Sequence, residues 1–125
     1  MEEITERIIG CAMRVHRVFG PGILEAVYQN ALAHELGKAG LSCSCEQKVQ
    51  VRYDGVIVGE YFPDMLVDGQ VIVENKAIRS LSAAHEVQLV HYLAATGLDV
   101  GLLLNFGTPR LQFKRKTRIY SRSYA

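Results

Sequence analysis

Residues 61–77 read Y-F-P-D-M-L-V-D-G-Q-V-I-V-E-N-K-A, and the rest of the chain is organised around them. Met65–Val67 and Val71–Val73 are short apolar runs on either side of Asp68-Gly69, a pair that readily takes the left-handed backbone of a tight hairpin turn. The spacing predicts two strands and a turn. Alternate side chains of a strand share a face, so Glu74 and Lys76 point one way and Asn75 the other. Asp64 lies on the partner strand, where the turn folds it back toward that pair. Two carboxylates and an ammonium gathered at one spot suit metal-assisted hydrolysis: hard oxygen donors hold a divalent cation, and the lysine orients or deprotonates the attacking water. The same residues are also what an ordinary surface hairpin carries as a cross-strand charge pair.

The chain has 125 residues, enough for one domain with a real core, and a single domain over 1–125 is expected. Formal net charge is only +1, but it is unevenly placed. Arg110, Lys114, Arg115, Lys116, Arg118 and Arg122 fall in the last 25 residues with no acid among them, leaving −5 to the rest. That asymmetry predicts a basic surface set against an acidic body. Cys11, Cys43 and Cys45 are odd in number and lack C-x-x-C spacing, which argues against a disulfide framework or zinc knuckle. With an acidic Met1-Glu2-Glu3 opening in place of a signal peptide, a cytoplasmic location is expected. No apolar run approaches the ~20 residues of a bilayer span.

Toward the N-terminus, Ile4, Ile8, Cys11, Ala12, Val15 and Phe19 recur at helical spacing, predicting an amphipathic helix over 2–19 with Arg7, Arg14 and Arg17 on its other face. Gly20-Pro21-Gly22 stops it. A second helix is predicted over 23–39, with Leu24, Val27, Tyr28, Ala31, Leu32 and Leu36 on one arc. Glu25 falls at the edge of that arc. A carboxylate there is costly unless paired, protonated or bound to a metal, although a plain helix-edge position explains it as well. Residues 41–53 and 56–67, joined by Asp54-Gly55, predict another hairpin, so the middle of the chain reads as a three-stranded antiparallel meander leading to Glu74.

Toward the C-terminus, Ser82 and Gly97 bracket a helix over 83–95 on which His85, Gln88 and Tyr92 form a polar stripe. The apolar run 100–106 predicts a buried strand reached by a helical crossover. Residues 111–120 alternate, with Leu111, Phe113 and Ile119 against Gln112, Lys114, Lys116 and Arg118, predicting a half-exposed strand with a basic wet face.

Taken together these residues resemble the GxxExxY family of small bacterial and archaeal proteins, a branch of the PD-(D/E)XK nuclease superfamily close to RecB-like exonuclease domains. The signature is present as Gly22-Ile23-Leu24-Glu25-Ala26-Val27-Tyr28. Val15-His16, Pro63-Asp64, Glu74-Asn75-Lys76, Gln88 with Tyr92, and 101–107 also look like the family, so the resemblance spans nearly the whole chain. It implies a prokaryotic protein with an α/β restriction-endonuclease-like core, a mixed central sheet of about five strands flanked by helices. It implies Glu25, Asp64 and Glu74 as ligands of Mg²⁺ or Mn²⁺, with the backbone carbonyl of Asn75 adding another. Lys76 is then the catalytic lysine, and Gln88 orients it, the water or the substrate strand. His16 rivals or supplements Glu25 as a ligand.

The implied function is metal-dependent hydrolysis of DNA with little sequence specificity, RNA remaining open. Tyr28, Tyr92, Lys114, Lys116 and Arg118 are the expected nucleic-acid contacts. The alternatives are a non-catalytic nucleic-acid- or partner-binding module keeping a vestigial site, and a hydrolase of mononucleotides. One small domain offers a duplex little surface, so a homodimer is expected.

Overall fold

The structure, a computed structural model, describes residues 2–118. Helix α1 (Glu2–Phe19) and helix α2 (Glu25–Lys38) come first, then strands β1 (Cys43–Cys45), β2 (Val49–Tyr53), β3 (Val56–Tyr61), β4 (Met65–Val67) and β5 (Val71–Lys76). Helix α3 (Ala83–Thr96), β6 (Val100–Asn105) and β7 (Gln112–Thr117) complete the described chain. Five strands form one mixed sheet in the order β1-β4-β5-β6-β7. Only β5 and β6 run parallel, and α3 is their crossover, as a parallel pair requires.

The two-residue alternation of β5 and β6 sorts the core into two layers. Val71 and Val73 with Leu102 and Leu104 face α1 and α2, packing on Ile8, Cys11, Ala12, Tyr28, Leu32 and Leu36. Ile72 and Leu103 face the other way onto Leu89 and Leu93 of α3. Each such fully buried side chain stabilises the fold by about 1.5–3 kcal/mol. Helix α3 lies tight on the sheet at Gly101, where an added Cβ would meet Leu89 Cδ1 at 2.8 Å. Its ends are fixed locally. Ser82 and His85 form a reciprocal capping box, and Gly97 closes the helix at φ +77°. His85 is thus a cap, not part of a polar stripe reaching toward the site.

The expected three-stranded meander is not what forms. The run 41–53 breaks at Glu46, whose φ is +53°, a left-handed step that a continuing strand cannot make. β1 pairs with β4, while β2 and β3 form a separate two-stranded ribbon inserted between them. Pro63, which lacks an N–H, separates the ribbon from β4. Leu24 and Phe19 also lie at the surface, because both flank the turn between α1 and α2. Ile119, Tyr120 and Arg122 lie outside the described residues. No described helix is long and apolar enough to cross a membrane.

Candidate active site

β5 places Glu74 and Lys76 on the face of the sheet covered by α3, and Asn75 on the face covered by α2. The turn Asp68-Gly69, with both residues at positive φ, returns the chain so that Asp64 lies beside the end of β5. Backbone N–H groups then hold both carboxylates. Asn75 N–H donates to Asp64 Oδ2 at 2.8 Å, and Asp64 N–H donates to Glu74 Oε2 at 3.0 Å. Tyr61 Oη–H donates to the same Glu74 oxygen at 2.8 Å. These bonds leave Glu74 Oε1 and Asp64 Oδ1 without a hydrogen bond among the described residues.

Asn75 itself contributes differently above and below the strand. Its amide is buried, donating to Gln29 Oε1 and packing on Met65, with Oδ1 unpartnered. The N–H and C=O of one strand residue point to the same side. Its carbonyl is therefore on the Asp64 side, while Lys76 C=O accepts from Phe106 N–H on the other.

Glu25 arrives from a third element. Gly20 (φ +63°) and Gly22 (φ +100°) make the turn after α1, and both conformations suit glycine. Tyr28 pins this turn: its hydroxyl donates to Gly20 C=O and accepts from Ile23 N–H. The ring is fully buried and stacks on Phe106, with centroids 4.7 Å apart. Tyr28 therefore has no surface to offer nucleic acid, contrary to expectation. It fixes the start of α2, where Glu25 occupies the first turn.

The charges at these positions act on one another. Burial pushes the Glu74 carboxyl above the usual carboxylate range, and the Asp64 charge adds to this. The Asp64 N–H, the Tyr61 hydroxyl and Lys76 work in the opposite direction. Glu25 is raised too, by partial desolvation and then by Asp64, against the pull of Lys76 and the Ala77 N–H. Burial raises the Tyr61 hydroxyl well above its ordinary value, with Glu74 the next cause. Glu25, Asp64, Glu74 and Lys76 thus form one electrostatic unit built from three separate segments.

Hard carboxylate and carbonyl oxygens of this kind suit a divalent cation, and the free Oε1 and Oδ1 atoms are the donors it would use. Asp64, Glu74, Glu25 and the Asn75 carbonyl would hold it. Among the described residues no three His, Cys, Asp or Glu side chains stand together at metal-holding range.

The remaining expected residues divide. Tyr92 stacks on Tyr61, ring centroids 4.0 Å apart, and so buttresses the Tyr61–Glu74 bond. Gln88, one turn earlier on α3, is exposed and makes no hydrogen bond among the described residues. His16 Nε2 donates to Thr108 C=O at 2.8 Å instead of joining the carboxylates. Lys114 is exposed on β7, but Lys116 pairs with Glu86 at 2.5 Å and Arg118 with Asp99 at 2.8 Å. The basic wet face is therefore partly neutralised by α3 and by the loop before β6. Tyr61 was missed by sequence reasoning. Only its position three residues before Asp64 could have drawn notice.

A model of the PD-(D/E)XK nuclease superfamily matches residues 2–116. The crystal structure of SSO0001 is similar in fold, with a TM-score of 0.57 at 19% identity over 77% of this chain. The chain spans 52% of that protein's length. A search of curated proteins finds no significant match. With the match covering nearly every described element and all four residues of the electrostatic unit, the chain belongs to the PD-(D/E)XK nuclease superfamily.

Proposed function

We propose that the protein hydrolyses phosphodiester bonds in DNA with the help of Mg²⁺ or Mn²⁺ and with little sequence specificity. Proteins of this superfamily are nucleases that generally use divalent metals. The observation that carries the reading is the hydrogen-bonded Asp64–Glu74 pair, set with Lys76 at the end of β5 in a chain of this superfamily. A bound divalent cation supplies Lewis-acid stabilisation of developing charge and makes water more acidic. The chain's own part is to position. Asp64, held by the Asn75 N–H, and Glu74, held by the Asp64 N–H, present Oδ1 and Oε1. Lys76 Nζ orients the attacking water and stabilises negative charge growing on the phosphate. Glu25, at the head of α2, completes the acidic set in the manner of the GxxExxY signature.

Release of fragments from linear, nicked, branched and single-stranded DNA in Mg²⁺, Mn²⁺ or EDTA tests this. Wild type should cut in metal and not in EDTA, and Lys76→Ala should lose about 10²–10⁴-fold in rate. Equal cutting by the two proteins would refute the assigned lysine. Turnover of mononucleotides without dependence on polymer length would move the substrate to small phosphate esters.

A further inference from the structure

A second cationic feature lies on the opposite face of the sheet from α3. Between α1 and the loop after β6 is a cleft of about 610 Å³, lined by His16, Arg17, Gly20, Pro109 and Arg110 among others, with no acidic residue in its wall. Arg17 and Arg110 are both exposed, and neither forms an ion pair with a described residue. This contrasts with Lys116 and Arg118, which have carboxylate partners. The His16–Thr108 hydrogen bond ties the loop to α1, so Arg17 on the helix and Arg110 on the loop border one cleft. Two guanidinium forks over one cleft match the oxygens of a phosphate group.

The segments that line the cleft adjoin those that carry the candidate active site. β5 and β6 are parallel, so the segments that follow Lys76 and Asn105 emerge together. Asn105 binds them to each other, accepting from Ile78 N–H and Gly107 N–H and donating to Ile78 C=O. On the other wall, Gly20 begins the turn that leads into Glu25, and Tyr28 holds its carbonyl. A strand lying across Glu25 and Lys76 would carry its neighbouring phosphates over this turn and loop.

We propose that Arg17 and Arg110 form a phosphate-binding subsite that holds the DNA backbone beside the scissile bond. The inference rests on the nuclease reading for its substrate, but its test requires no turnover. A labelled DNA duplex is titrated with protein in EDTA across a range of salt, and anisotropy is recorded. The Arg17→Ala/Arg110→Ala double variant should bind at least about tenfold more weakly, with the slope of log K against log salt shallower by roughly 2. The Arg17→Lys/Arg110→Lys variant should recover most of that slope. Lys38→Ala, at the far end of α2 from Glu25, should bind as wild type does. No binding by wild type, or unchanged affinity and slope in the double alanine variant, would overturn the subsite. Arginine-dependent binding together with no cleavage in metal would support the subsite while refuting the hydrolytic reading.

Discussion

Glu74 Oε2 accepts two hydrogen bonds, from the Asp64 N–H and the Tyr61 hydroxyl, and still the carboxyl is raised. Burial and the Asp64 charge outweigh both donors and Lys76. Glu25 is raised for the same two reasons. The sign of the consequence follows from linkage. The folded state binds protons at Glu25 and Glu74 more tightly than the unfolded chain does, so without metal stability falls as pH rises from the ordinary value of 4.5 through the raised ones. Glu74→Gln keeps an acceptor for Tyr61 and Asp64 but removes the charge. It should raise the melting temperature at neutral pH by a few degrees and flatten its decline with pH. Thermal denaturation in EDTA checks this, and a wild-type melting temperature that climbs over the same pH range would contradict it. The placement of Glu74 and Lys76 on one face of β5 was legible because strand alternation is a local rule. Tyr61 was not, because its partner lies 13 residues away across a chain reversal.

At the scale of elements, Gly22, Glu25 and Tyr28 work as one device. The glycine permits the turn, the glutamate heads the helix, and the tyrosine one turn on ties the helix back to the turn. Tyr28→Phe preserves the stack on Phe106 and removes both hydroxyl bonds. It should cost about 1–3 kcal/mol of stability and lower activity by loosening Glu25, as read by denaturant unfolding alongside cleavage rate. Unchanged stability and rate would show that the turn holds without the hydroxyl. The limits of α1 and α3 were readable from sequence because periodicity and capping are written in neighbouring residues, Ser82 and Gly97 above all. The β2–β3 hairpin was legible from Asp54-Gly55, but its separation from the main sheet was not, since β1 pairs with β4, Cys43 opposite Val67, and the strand breaks at Glu46. Tyr28 pointed to the right place for the wrong reason: its spacing from Glu25 was visible, but not the turn that buries its hydroxyl.

At the scale of the molecule, a mixed sheet with helices on both faces brings residue 25 beside residues 64–76, and that juxtaposition exists only in the folded chain. The basic C-terminal strand was correctly located by charge counting. Its availability was misjudged because the acids that pair with Lys116 and Arg118 come from α3 and the loop before β6. Arg17 and Arg110, 93 residues apart in sequence, share a cleft that no linear pattern announces. Glu25, Asp64, Glu74 and Lys76 are proposed to make one metal-dependent site, and Mn²⁺ titration by calorimetry is the sharpest test of it. Saturable binding by wild type that persists in Lys76→Ala and is lost in Asp64→Asn is the predicted result. Absence of saturable binding by wild type, or equal binding by Asp64→Asn, would contradict it.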